Sequence, residues 1–246
     1  MTPTASKVMY HWILIFAIIL SISTITIAQT NSSDYDREIG ALAALDNIKT
    51  AFRFIENRVP QAQRDLITLT EIPAPPFMEE QRAAKYAEML REAGADEVRI
   101  DEAGNVIALR RGRTGNRVVA IEGHLDTVFP EGTDVTVKFR GDTLFAPGIG
   151  DDTRGLVVVL SVLMAMEEAH IETDDNILFI GTVGEEGLGD LKGVKHLFSD
   201  NGTKIDSWIA VDGGGIRNIV HRGLGSHRYR VTFKGPGGHS WGAFGL

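Results

Sequence analysis

Three nearly uninterrupted apolar runs constrain this chain more than any other feature: "RVVAIEGHLD" from Arg117, "NILFIGTV" from Asn176 and "SWIAVDGG" from Ser207. A strand with one wet face alternates apolar and polar side chains, whereas a run without alternation suits a strand covered on both faces. Between the first two lies "GLVVVLSVLMAMEEA", which reads as a helix despite its valines, and between the last two lies "DLKGVKHLF", also helical. Buried strands separated by helices predict an α/β fold with a mostly parallel central sheet and helices on both faces. In such sheets functional groups gather outside the carboxyl ends of the strands.

The flanking segments are read in the same way. Leu45, Ile48, Phe52, Ile55, Leu66 and Leu69 stand at helical spacing, with a break expected at Pro60. "EIPAPPF" is a proline-rich loop, and Glu79–Ala93 reads as an amphipathic helix closed by Gly94. "EVRID" and "NVIALR" are short strands. From Ser226 the texture changes: "SHRYRVTFKG" has period two, as for a half-exposed strand of an antiparallel sheet opening a small α+β domain. At the other end, Lys7 and His11 precede the uncharged stretch Trp12–Ala28, the pattern of a secretory signal peptide and hence of an exported protein, with an uncleaved membrane anchor as the alternative. The expected organisation is a signal peptide over 1–28, a main domain over 29–224 and the start of a second domain over 225–246.

The formal net charge of −8 argues against nucleic acid as a partner, because phosphate binding needs clustered Lys and Arg. The absence of cysteine excludes disulfides, thiolate zinc sites and cysteine nucleophiles, so any metal must be held by His, Asp and Glu. Those residues stand where the fold would use them. The first run ends in His124 and Asp126, the second in Glu185 and Glu186, the third in Asp212. A glycine-rich turn, "APGIGDDTRG", places Asp151 and Asp152 just before a helix. Each piece alone has a plain reading: a surface histidine, an N-cap with acids favoured by the helix dipole, a solvated turn, a strand exit. Four such pieces at expected strand ends in one chain point instead to a common crevice. So many carboxylates beside one imidazole would repel one another unless divalent cations sat among them, and a sulfur-free set suits Zn²⁺, Mn²⁺ or Co²⁺. Adjacent glutamates then have a use: one binds metal while its neighbour takes a proton from water.

The stretches "GHLDTV", "GIGDDTRG", "GTVGEEGLGDLKGVKHL", "VDGGG" and "GPGGHSWG" resemble the dinuclear zinc peptidases and deacylases that include carboxypeptidase G, acetylornithine deacetylase, succinyl-diaminopimelate desuccinylase and peptidase T, in that family's order. The resemblance implies a zinc-exopeptidase-like catalytic domain with two divalent ions, Zn²⁺ first and Co²⁺ or Mn²⁺ as substitutes. By the same resemblance His124 and Asp212 bind one ion, Glu186 the other, and Asp151 bridges them. Asp126 orients the His124 ring, Glu185 is general base on a metal-activated water, and His239 reaches the substrate in a partner subunit of a homodimer. Thr153 and Arg154 depart from the Lys that often follows the acidic pair in the family. The family's last metal-binding His lies far downstream, so the reading expects a truncated chain, short of a ligand and inactive by itself, unless His221 or His239 stands in. The expected activity is hydrolysis of peptide bonds in small peptides, of the aminopeptidase, dipeptidase or tripeptidase type. The alternative is an N-acyl-amino-acid deacylase acting on N-acyl amino acids. A non-catalytic metal- or peptide-binding protein is the rival from another class, and Glu185 argues against it.

Overall fold

The sheet that the apolar runs predict has five strands, in the order β1-β2-β6-β3-β7. They are β1 (Glu97–Ile100), β2 (Val106–Arg110), β3 (Val118–His124), β6 (Asn176–Thr182) and β7 (Ser207–Ala210). β3 lies between β6 and β7 and is parallel to both, while β2 runs antiparallel to β1 and to β6. Only β2 therefore opposes the common direction, and the sheet is mixed. The computed structural model describes residues 32–199, 204–213, 217–227, 229–235, 237–239 and 241–242. The expected signal peptide lies outside them, and no helix among the described residues is long and apolar enough to cross a membrane.

Two faces of the sheet are covered unequally. Period two sends Val106, Ala108, Ile177 and Phe179 to one face, where they pack against α2 (Asp46–Thr70), α3 (Glu80–Glu92) and α4 (Arg154–Glu168) through Leu69, Tyr86, Leu90, Leu156, Leu160 and Leu163. The intervening Ile107, Ala120, Leu178 and Ile180 face the other way, under Leu197 of the short helix α5 (Lys192–Leu197). Phe198 and Trp208 close that smaller core with ring centroids 5.3 Å apart. A preceding helix, α1 (Ser32–Ala43), carries exposed side chains along its described length. A two-stranded ribbon, β4 (Lys138–Arg140) with β5 (Thr143–Phe145), stands apart from the main sheet.

Three sequence expectations are corrected. α2 is not broken at Pro60 but runs through it. Pro60 is exposed, so the carbonyl it leaves without a donor can turn to water, and the helix is pinned from within. Arg58 and Asp65 form a buried ion pair across that turn, and Arg58 also donates to Ser161 Oγ of α4 at 3.0 Å. The third apolar run is a strand, but β7 is half-covered at its start and exposed at its end, as an edge strand of the parallel part. The period-two stretch from Ser226 carries no strand among its described residues. Alternation prepares a face, but a strand needs a neighbouring edge to pair with, and no helix or strand is found among described residues 217–242.

The chain divides after Gly213 into two compact units. The first contains the whole layered domain, and the second begins at Gly214 and contains His221 and His239.

Phe179, fully buried at the centre of the larger core, should be the most costly truncation in the sheet. Phe179→Ala is expected to lower unfolding stability by about 3–5 kcal/mol, measured by urea denaturation. A loss below about 1 kcal/mol would mean the helices do not pack on this face as described.

Candidate functional site

β3, β6 and β7 are neighbours that end at the same edge of the sheet, so their exits share one crevice. β3 delivers His124 as its last residue, with the ring buried at 2% exposure. Glu185 and Glu186 follow the end of β6, and Asp212 follows the end of β7. Asp151 and Asp152 come from the wide turn Ile149–Thr153 that leads into α4. One ligand atom from each of His124, Glu185 and Glu186 lies within 4.8 Å of the others, and the same holds for His124, Asp151 and Asp212. The two groups share the imidazole. All four residues expected to hold metal are thus brought together around His124, with Glu185 beside them.

The ring is held at both nitrogens. Nδ1 is 3.0 Å from the backbone carbonyl of Asp126, which can only accept, so Nδ1 carries a hydrogen. Nε2 then faces the carboxylates, 2.9 Å from Asp151 Oδ1 and 3.9 Å from Asp212 Oδ1. Burial pulls the His124 pKa down. The carboxylates of Asp126, Asp152 and Asp151 outweigh it and raise the pKa to about 10.

Asp126 does more than the sequence suggested. Its carboxylate is 3.6 Å from Nδ1, too far for a hydrogen bond, and acts on the ring through charge. Its two oxygens instead accept the backbone N–H groups of Glu185, at 3.0 Å, and Glu186, at 2.8 Å. Although burial opposes ionisation, these bonds and the imidazole hold the Asp126 pKa below its ordinary value. Burial raises the Glu185 pKa, with His124 opposing and Asp212 and Asp126 adding to the rise. Glu186 is raised by burial and by Asp151. A carboxyl moved upward in this way is better matched to taking a proton near neutral pH.

Asp152 keeps the plain role that a GDD turn allows. It is 1% exposed, and its carboxylate accepts the N–H of Gly155, at 3.1 Å, in the first turn of α4, and the N–H of His124, at 3.0 Å. It ties the exit of β3 to the start of the helix. Burial, partly offset by His124, raises its pKa to about 8. The Arg154 side chain donates to Gly213 O, linking the helix start to the loop beyond Asp212. His239 is exposed in the second unit, where its Nδ1 accepts the N–H of Trp241 at 3.2 Å. His221 is exposed in the same unit.

Sequence reasoning passed over three buried polar residues that shape this region. Glu122, in the middle of β3, accepts the Thr182 hydroxyl at 2.6 Å, and burial raises its pKa to about 7. A charge inside an apolar run was the available signal. Asn105 accepts the N–H of Val183 at 3.1 Å and donates to Gly193 O at 3.0 Å, fastening both ends of the loop after β6. Arg82, fully buried, donates to Leu125 O at 2.7 Å and to Ile72 O at 2.7 Å. Neither Asn105 nor Arg82 announces itself by spacing.

The donor set fits divalent cations. It offers one imidazole nitrogen and several carboxylate oxygens, and the two clusters of potential ligands sit side by side. The family described as peptidase family M20/M25/M40 matches residues 120–234, which include every strand end of the crevice. A protein of Pyrococcus abyssi, named as a hydrolase of LysW-lysine and LysW-ornithine, is 34% identical over 129 residues, 52% of this chain and 34% of that protein. Carboxypeptidase G2 of Pseudomonas sp. (strain RS-16) is 31% identical over 84 residues, 33% of this chain and 20% of that protein. The fold of aminopeptidase PepT from Bacillus cereus ATCC 10987 matches with a TM-score of 0.54 at 23% identity, over 63% of this chain and 43% of that one. The matches thus span about a third or less of these curated relatives' own length.

Because Nε2 carries a proton below about pH 10 in the metal-free protein, an ion bound there must displace it. Apparent metal affinity should therefore rise with pH, with about one proton released per ion taken up at His124 near neutral pH. Calorimetric titration of Zn²⁺ in buffers of different ionisation enthalpy measures that number. A pH-independent affinity with no proton release would place the ion away from His124.

Proposed function

We propose, from the match of residues 120–234 to peptidase family M20/M25/M40, that the protein is a divalent-metal-dependent hydrolase of peptide bonds in small peptides, of the aminopeptidase, dipeptidase or tripeptidase type. The observation that carries the proposal is the convergence of four carboxylates, from the exits of β6 and β7 and the turn before α4, on the buried imidazole at the end of β3.

In this reading His124 and Asp212 would hold one ion and Glu186 the other, Asp151 would serve as a ligand as well, and zinc is the ion best suited to the set. When bound, the ions supply electrophilic activation of the scissile carbonyl and of water. The remaining chemistry belongs to the chain. Glu185, raised by burial and close to the ligands, accepts the proton of the attacking water and passes it to the leaving nitrogen. Asp126 aims the pair, because its two oxygens hold the amides of Glu185 and Glu186 while its backbone carbonyl fixes the imidazole. Asp152 keeps His124 and α4 in register. The role assigned to His239 is contact with the substrate in a homodimer, and the leader-like sequence at 1–28 makes export part of the proposal. Asp rather than Glu at position 212 favours peptides over N-acyl amino acids.

Assay of the metal-loaded protein, in a form extended to the downstream metal-binding His that the family resemblance implies, against paired dipeptides and N-acyl amino acids tests the reaction class. Peptide hydrolysis is expected, and turnover confined to N-acyl amino acids would replace the peptidase reading with a deacylase. Glu185→Gln should lower kcat by about 10²–10⁴-fold while leaving bound zinc near the wild-type amount. Loss of zinc along with activity would make Glu185 a ligand instead.

A further inference from the structure

The turn bearing the two glutamates has an underside that the reaction does not use. Three consecutive backbone N–H groups point into the protein there. Those of Glu185 and Glu186 end on the two oxygens of Asp126. The third, of Gly184, ends on Glu79 Oε1 at 3.1 Å. Glu79 is 3% exposed, at the very start of α3, and was not singled out by the sequence. Two buried carboxylates thus accept three amides in a row. The flanking bonds show that this end of α3 serves both exit loops. Arg82, one helical turn after Glu79, grips Leu125 between His124 and Asp126. The loop before α3 also meets the start of α5, with the Lys192 ammonium 5.5 Å over the Phe77 ring.

Burial raises the Glu79 pKa, and the backbone amides at Phe77 and at Glu79 itself oppose that rise alongside the bond to Gly184. As the residue that opens α3, Glu79 is favoured by the helix dipole, and its side chain is then free to reach the amide of Gly184. Gly184 itself is in a left-handed conformation (φ 65), so the chain turns sharply just before the glutamates and has no regular ladder to fix it. What Glu79 adds is a charge-assisted bond at the pivot of that turn. Bonds at positions 185 and 186 alone leave the turn free to hinge at 184. The third bond removes the hinge.

We propose that Glu79 is a positioning residue of the candidate site: with Asp126 it clamps the Gly184–Glu186 amides and so sets where Glu185 and Glu186 point. It touches no ligand or reacting group. This inference rests on the reading of Glu186 as a metal ligand and Glu185 as base. Its consequence is selective. Freeing the turn loosens the ion held by Glu186, while the His124–Asp151–Asp212 group, built on other elements, keeps its ion.

Two variants, Glu79→Gln and Glu79→Ala, test it by two readouts. In the metal-free protein, amide hydrogen exchange at residues 184–186 should accelerate at least about tenfold in Glu79→Ala, with exchange in β3 and β6 unchanged. In zinc titrations the weaker of two binding events should weaken further by about 10–100-fold, the stronger one staying put. Glu79→Gln, which keeps an acceptor oxygen and should fold if Glu79→Ala does not, should show the same pattern at smaller amplitude. Unchanged exchange at 184–186 in either folded variant overturns the proposal, as does equal weakening of both ions. A wild-type protein that takes up no second ion overturns the metal assignment of Glu186, and the exchange experiment then still decides whether Glu79 clamps the turn.

Discussion

The imidazole of His124 is the point on which the carboxyl edge of the sheet depends. It sits at the end of the central parallel strand, it is buried, and it is the member common to both clusters of potential ligands. Acidic groups from the three strand exits and the α4 turn crowd round it, and crowding of like charge is tolerable only with a compensating cation. In the metal-free protein that cation is the ring itself, whose raised pKa measures the field around it. With metal bound, the same field becomes affinity. Electrostatics that would be a liability in an ordinary core thus suits the crevice to the divalent ions proposed for it.

Around that node the scaffold is built from side chains holding backbone rather than one another. Asp126, Glu79, Asp152 and Asn105 each accept a main-chain N–H from a loop or helix start, and Arg82 donates to main-chain carbonyls. Loops at the ends of parallel strands have no ladder to satisfy their amides, so buried polar side chains take over. The consequence is precision: the two glutamates stand on a loop, yet that loop is fastened at Gly184, Glu185 and Glu186, and the histidine closes a strand.

How much of this was legible follows from range. The runs that become β3 and β6, the helix closed by Gly94 and the location of the acids at strand exits come from local pattern, and they survive. The continuity of α2 through Pro60 was not legible, because the Arg58–Asp65 pair and the packing on α4 that sustain it are tertiary. Nor could period two at Ser226 supply the partner edge that a strand needs. The insertion of β2 against the common direction depends on pairing, which composition does not encode. The family resemblance supplied residue roles, but it did not reveal that the Asp126 carboxylate is spent on the amides of Glu185 and Glu186, nor that Glu79 shares the task.

The carboxylate of Asp152 also has a bearing on how this chain can drift. It fills the space on either side of itself: a Cβ on Gly155 would come within 2.2 Å of its Oδ1, and a Cβ on Gly123 within 2.7 Å of its Oδ2. Neither glycine lies at a positive φ, so close approach rather than backbone conformation keeps each small; at Gly155 the backbone carbonyl of Val211 bars a side chain as firmly as the acid does. Enlarging either glycine collides with the acid, and shrinking the acid leaves two amides without an acceptor. Substitutions at 123 and 152 should therefore be non-additive, whereas Gly155 is held small by the Val211 backbone whatever stands at 152.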